Sequence, residues 1–280
     1  MIKAIEFPNL NFASKEDLFT HLKKNEDKLI SLKKAQVYKS HEKGQLSFVN
    51  CNKINNANKS LFEAKEGYIY PIISTTNYMD SHGDVHFKGS MNKTASEQQG
   101  KVVYALDHEL KYNSILAWQK DVRMFISELD WSIVGKTYVG KTEGLVFEIA
   151  KDKITNKQVL SDIENKVSEF ENSIRMIYYK IVLGMNSNSK EHTDNKKYYD
   201  AKVNEIANKE LAEEVGYFWG VEELGIYKEG SLVVAGGSND ATAIYEKNIE
   251  ADVITSTEPQ VSTQQKQGLD YNYLINNFKL

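Results

Sequence analysis

The chain has 280 residues, of which 41% are hydrophobic, 26% charged and 11% aromatic, and these fractions exclude a collagen-like, coiled-coil or wholly disordered chain. Its 35 basic and 39 acidic residues give a net charge of −4, so we expect no nucleic-acid partner, because such proteins carry a basic excess. The single cysteine, Cys51, cannot form an internal disulfide, which favours a reducing compartment.

Neither a membrane span nor a signal peptide is expected. No apolar run approaches the roughly 18 residues that a membrane-spanning helix needs. The first residues, Met-Ile-Lys-Ala-Ile-Glu-Phe-Pro, lack the apolar core of a signal peptide. We therefore expect a soluble, intracellular protein without a membrane partner.

Residues 1–60 are predicted to be a polar N-terminal extension with one helix. Ser14 and Asp17 have the spacing of a capping box, and the apolar residues after them recur at rough helical spacing. The stretch 50–59 is rich in asparagine and lysine, which is typical of a linker. We place the main domain at residues 61–251.

The main domain is predicted to be rich in short strands. β-branched and aromatic runs indicate strands, and amphipathic spacing indicates helices. The predicted strands are 68–76, 102–106, 133–139, 144–150, 173–183, 217–226 and 231–235, and the predicted helices are 155–170 and 195–214. This pattern favours a β-barrel or sandwich with helical decoration over an alternating parallel sheet.

Residues 252–280 are predicted to be a flexible tail. The segment 255–268 is poor in apolar residues, which is typical of a linker, whereas 269–280 carries a short apolar patch. An apolar end on a flexible tether suggests a docking peptide or a processing site. A frayed tail folded onto the body is the alternative.

Candidate chemistry begins with the histidines, because the sequence has no phosphate-binding glycine loop, zinc cysteine pattern or Gly-x-Ser-x-Gly motif. On an extended segment, His82, Asp84 and His86 alternate onto one face and could hold a catalytic metal ion. His108 follows an apolar strand and lies between acidic neighbours. An imidazole there could act as a general base near neutral pH.

Ser173 is the matching candidate for a nucleophile. In a strand, Ser173 and Arg175 project from the face opposite to Ile174 and Met176. A serine beside a base is a competent nucleophile for acyl transfer, and Arg175 could bind substrate or stabilise an oxyanion. Spacing alone does not separate Ser173 from any other serine in a strand.

Five segments between residues 67 and 246 resemble, in their order and spacing, the prohead maturation proteases of tailed phages. They are the strand ending in Ser74-Thr75 with Asp80, Gly83-Asp84 and Gly89 after it; the apolar strand before His108; Ile133-Val-Gly135 with Glu143-Gly-Leu-Val-Phe-Glu148; Ser173-Ile174; and Glu229-Gly-Ser-Leu-Val233 followed by Ala241-Thr242. Two departures stand out. Arg175-Met176 replaces a Gly-aromatic pair, and the stretch 110–130 is longer than usual and is expected to form an added helix or flap.

The resemblance implies an assemblin-like fold, which is α+β and mainly β, with a closed antiparallel β-barrel surrounded by helices. It implies serine peptidase chemistry without a cofactor or metal, in which His108 takes the proton of Ser173. A third group orients the imidazole. We expect Glu229 to be this orienting group, because it lies on a late strand and matches the family's glutamate. Glu171, which would share the face of Ser173, is the other contender, and Asp107 is adjacent to His108 but points to the other face if the strand continues.

The resemblance also implies a biological setting. Such a protease acts in the host cytoplasm inside the viral prohead, cleaves the major capsid protein precursor or scaffold protein, and trims itself, and a homodimer is expected. One alternative is a non-catalytic, protease-like assembly or scaffold protein, which the Arg175-Met176 departure favours. The other alternative is a metal-dependent hydrolase that uses His82, Asp84 and His86.

Overall fold

A computed structural model describes residues 2–35, 62–234 and 237–247. The linker predicted at 50–59 and the tail predicted at 252–280 lie outside the described residues. The helices are α1 (Lys15–Lys24), α2 (Glu26–Ala35), α3 (Asn92–Glu97), α4 (Lys157–Glu164), α5 (Thr193–Lys202) and α6 (Lys209–Val215). The strands are β1 (Tyr68–Thr75), β2 (Asp84–His86), β3 (Val103–Leu106), β4 (Ile115–Ala117), β5 (Arg123–Asp130), β6 (Lys141–Ala150), β7 (Glu171–Met185), β8 (Tyr217–Val233) and β9 (Ala243–Tyr245).

The strands form two sheets. One is antiparallel and has the order β5–β6–β1–β9. The other has the order β2–β8–β3–β4, with β7 also paired to β8, and it is mixed, because β2 and β3 run parallel to β8. When the short 3-10 turns are counted with α1–α6, helices contribute about as many residues as strands, so the fold is a mixture of both and is not the mainly β fold that was expected. In the described ranges, no strand pairing joins the two sheets into a closed barrel.

The pairing of β7 with β8 is the centre of the second sheet. β8 is 17 residues long and β7 is 15, and their register runs from Glu171 opposite Val233 to Met185 opposite Tyr217. Gly230 is required on β8, because a β-carbon there would lie 2.9 Å from the buried ring of Phe147. Its neighbours in the chain therefore face the opposite side of the sheet, where the candidate site lies.

Part of the predicted N-terminal extension belongs to the main core. The single predicted helix is two consecutive helices, α1 and α2. The predicted cap is confirmed, because Ser14 Oγ accepts the Asp17 N–H at 3.1 Å. Three side chains of α1 are at most 1% exposed and join the core that also contains residues of both sheets: Leu18, Phe19 and Leu22.

Several predicted elements were wrong in type or extent. The predicted strand 133–139 is replaced by a 3-10 turn, Trp131–Val134, that ends at Gly135 with a φ of +71°. The stretch 110–130 holds β4 and β5 in place of a helix or flap, because pairing with β3 and β6 satisfies its backbone. The predicted helix 195–214 is divided into α5 and α6, and β8 unites two predicted strands. No helix in the described part of the chain is both long and apolar enough to cross a membrane.

Candidate active site

Four of the residues that the sequence singled out lie where β3, β8 and β7 run side by side: His108, Ser173, Arg175 and Glu229. The register places Ala105 opposite Ser231 and Ser231 opposite Ser173, so these residues form one row across the sheet. His108 follows the end of β3, and Glu229 lies on β8. Three segments that are far apart in the chain therefore contribute to one face.

His108 and Glu229 form a buried pair. His108 Nδ1 lies 2.7 Å from Glu229 Oε1, and the two side chains are 3% and 0% exposed. A carboxylate can only accept a hydrogen bond, so Nδ1 is the ring nitrogen that donates to Glu229, and in the neutral imidazole this leaves Nε2 as the acceptor. Of the three carboxylates considered, Glu229 is thus the one at Nδ1, whereas Asp107 is exposed and Glu171 accepts the N–H of Gly237.

The backbone at His108 adopts an unusual turn. The Leu106 carbonyl accepts the Glu109 N–H at 3.0 Å, and the two central residues, Asp107 and His108, have φ values of +50° and +56°. Positive φ at both central positions is the type I′ geometry, which favours glycine and asparagine. A left-handed residue with a β-carbon costs about 1–2 kcal/mol, and such strain clusters at functional sites. In this protein the strained turn contains His108, the proposed general base.

Ser231 also belongs to the site, although it was not among the predicted site residues. Its hydroxyl donates to Glu229 Oε2 at 2.5 Å and accepts the backbone N–H of His108 at 3.2 Å. Glu229 and Ser231 are two residues apart on a strand, and residues at that spacing share a face. The spacing of two residues from Glu229 is therefore the feature of the sequence from which Ser231 could have been predicted to belong to the site.

Arg175 lies against the same pair. Its Nη2 donates to the His108 carbonyl at 2.7 Å, and its Nε lies 3.3 Å from Glu229 Oε1. The Nε contact is close enough for an ion pair but is not aligned as a hydrogen bond. The guanidinium is therefore engaged with His108 and Glu229, and its contact with a substrate stays a prediction.

Ser173 is buried beside these groups. It is 5% exposed and stands opposite Ser231, whose hydroxyl bonds the His108 backbone. Directly opposed residues of an antiparallel pair have β-carbons about 5 Å apart and project from the same face. The structure thus brings the predicted nucleophile, base and carboxylate to one place, with Arg175 among them.

The metal site considered at His82, Asp84 and His86 does not form. Asp84 and His86 lie on β2, but the Asp84 carboxylate pairs with Lys33 Nζ at 2.5 Å and accepts the Tyr178 hydroxyl at 2.8 Å. Among the residues that the structure describes, no three His, Cys, Asp or Glu side chains are arranged to hold a metal ion. The Asp84 carboxylate is therefore already occupied by contacts within the protein.

Burial around β2 shifts the pKa values of two titratable groups, His86 and Asp80. His86 Nδ1 lies 3.2 Å from Ser74 Oγ, and burial lowers the pKa of this imidazole, although Asp80 and Asp84 oppose the shift. Burial, together with the charge of Asp84, raises the pKa of the Asp80 carboxyl. Asp80 Oδ1 accepts the N–H groups of His82 and Asp84, so the carboxyl organises the turn before β2.

Comparison of the chain with protein-family models, with curated proteins and with solved structures gives no match.

Proposed function

We propose that this protein is a serine endopeptidase in which Ser173 is the nucleophile, His108 the general base and Glu229 the orienting acid. The observation that carries the proposal is the buried 2.7 Å contact between His108 Nδ1 and Glu229, on the face of the sheet from which Ser173 projects. A histidine–carboxylate pair alone can be structural. The adjacent serine and the strained turn at His108 favour catalysis.

The geometry suits acyl transfer. Glu229 holds the Nδ1 proton, so Nε2 can accept the hydroxyl proton as Ser173 attacks a peptide carbonyl. The imidazolium, stabilised by Glu229, then gives that proton to the leaving amine. Water then gives a proton to His108 as its oxygen attacks the acyl carbon. His108 passes that proton to Ser173 Oγ as the acyl–oxygen bond breaks, which restores the serine hydroxyl. Backbone amides are the expected oxyanion donors.

The substrate and setting follow from the resemblance to prohead maturation proteases. We assign as substrates the scaffold protein or the major capsid protein precursor, and the chain itself, with cleavage inside the prohead in the host cytoplasm. A homodimer and an assemblin-like barrel belong to the same proposal. It is supported by the order of the five matching segments and by the meeting of three of them at the site.

The test uses a fluorophosphonate probe on the purified full-length chain. Attack by Ser173 Oγ forms an O–P bond, expels fluoride and passes the proton to His108. We expect intact mass to show one adduct on the wild type, mapped to Ser173, and none on Ser173→Ala. Cleavage of the cognate capsid precursor should disappear in the same variant. Equal labelling of both proteins, or a wild type that is neither labelled nor active in assembled proheads, would contradict the proposal.

A non-catalytic assembly protein is the second candidate. Two observations favour it: Ser173 and His108 are only 5% and 6% exposed, and Arg175 stands where the resembled family has glycine. It predicts normal assembly with Ser173→Ala and intact precursor in the mature shells of both proteins. Precursor cleavage that depends on Ser173 excludes it.

A further inference from the structure

We propose that Ser231 is a positioning residue of this site, which keeps the Glu229 carboxylate and the His108 turn in the geometry that proton transfer requires. The inference rests on the proposed function and adds a residue that takes no part in bond making. Its hydroxyl contacts both halves of the buried pair, Glu229 through the side chain and His108 through the backbone.

The contact with Glu229 selects the orientation of the carboxylate. A glutamate side chain has several rotatable bonds, and a hydrogen bond to Oε2 leaves Oε1 directed at His108 Nδ1. In metal sites, loss of an outer partner that orients a ligand commonly costs about 10–100-fold in affinity or activity, and we expect a loss of the same order here, because the hydroxyl orients the carboxylate in the same way. Without the hydroxyl, the carboxylate loses one of the contacts that set its direction.

The contact with His108 secures the strained turn. The His108 N–H is buried with its residue and donates to Ser231 Oγ, and the neighbouring Asp107 N–H donates to the Leu232 carbonyl. A buried donor that loses its acceptor is destabilising, and here the loss would fall on a turn whose backbone is already strained by two left-handed residues. One hydroxyl therefore supports the position of the imidazole from two directions.

Ser74 offers a matched control. It is a fully buried serine on β1, in the other sheet, and its hydroxyl also contacts a histidine, His86. Ser74→Ala, like Ser231→Ala, removes a buried serine hydroxyl and its hydrogen bonds from a strand. The hydroxyl of Ser74 bonds the imidazole of His86, whereas that of Ser231 bonds the Glu229 carboxylate and the backbone N–H of His108. A purely structural role of Ser231 would make the two variants behave alike.

The experiment measures the rate of fluorophosphonate labelling at Ser173 against pH, with thermal unfolding of the same samples. We expect Ser231→Ala to react about 10–100-fold more slowly. The midpoint of its pH profile should move to lower pH, because an imidazolium beside a misaligned carboxylate is less stable. Ser231→Thr keeps the hydroxyl and should restore most of the rate, and Ser74→Ala should keep the wild-type rate and profile.

The inference is overturned if Ser231→Ala keeps the wild-type rate and profile, or if Ser74→Ala slows equally. If Ser231→Ala does not fold, Ser231→Cys takes its place with the same expectation, because a thiol is a weak donor and acceptor. If the wild type is not labelled at Ser173, the result instead contradicts the proposed function itself. The two failures are therefore distinguishable.

Discussion

At the scale of single residues, the candidate site depends on one carboxylate with three neighbours. Glu229 is 0% exposed and meets the imidazole of His108, the hydroxyl of Ser231 and the guanidinium of Arg175. A buried carboxylate is costly unless it is paired and hydrogen-bonded, and here both conditions are met. These three contacts stabilise the Glu229 carboxylate in its buried position and also fix its orientation towards His108.

Replacing Glu229 therefore tests the assignment of the third catalytic group. Glu229→Gln keeps the shape but presents an amide to His108 Nδ1, so the imidazole loses the partner that fixes its tautomer. We expect labelling of Ser173 and precursor cleavage to fall by about 10³-fold or more. Glu171→Gln is the matched control, since Glu171 lies at the start of β7 and was the other contender on that face. Equal losses in the two variants would contradict the assignment.

At the scale of secondary-structure elements, α2 is tied to the sheet by a buried ion pair. Lys33, in its last turn, places Nζ 2.5 Å from Asp84 on β2 and 5.4 Å from the ring centre of Trp219 on β8. The two charged side chains are 10% and 0% exposed. Asp84 also accepts the hydroxyl of Tyr178 from β7, so α2 and three strands share one polar contact point.

Breaking this pair should destabilise the whole fold. Lys33→Met leaves Asp84 buried without its cation, and we expect a loss of about 3 kcal/mol or more in the free energy of unfolding. Adding Asp84→Asn should recover part of that loss, because the unpaired charge is then removed. Lys34→Met, at an exposed position of the same helix, should stay within about 0.5 kcal/mol of the wild type in urea unfolding. Additive effects of the paired substitutions would show that the contact contributes little.

At the scale of the whole molecule, one core joins α1 to both sheets, so unfolding of the described body should expose its buried titratable groups together. Burial lowers the pKa of His86 in the folded protein. The pKa of His86 in the unfolded chain is about 6.5, so below this pH the unfolded chain binds a proton at His86 that the folded chain does not bind. The free energy of unfolding therefore falls as the pH falls. Asp80, whose pKa is raised, acts in the opposite direction.

Urea unfolding between pH 7.5 and 5.5 tests this linkage. We expect the wild type to lose stability towards pH 5.5 and His86→Gln to lose about 1 kcal/mol less, since one group contributes at most about 1.4 kcal/mol per pH unit. Asp80→Asn should lose at least as much stability between pH 7.5 and 5.5 as the wild type, because the proton that Asp80 takes up in the folded protein no longer offsets the effect of His86. A wild type and a His86→Gln variant with the same pH dependence would refute the contribution of His86.

The sequence by itself determined the strands that carry the site and most of the residues on them. Alternation and β-branched runs predict β1, β3, β6 and β7 near their observed bounds, and the cap at Ser14 follows from local hydrogen bonding. The strand patterns and the cap are local properties, which a chain displays without its partners. Ser173, His108 and Glu229 were selected by the resemblance of the five segments to prohead maturation proteases.

Only the tertiary structure decided which groups meet. The contact of Glu229 with His108, the two hydrogen bonds of Ser231 and the inward direction of Arg175 all depend on the register of β8 with β3 and β7. The packing of α1 and α2 and the strand pairing of 110–130 likewise depend on distant segments. The sequence of one strand does not specify which residue of another stands opposite it, because that register is set by the hydrogen bonds and burial of the assembled sheet.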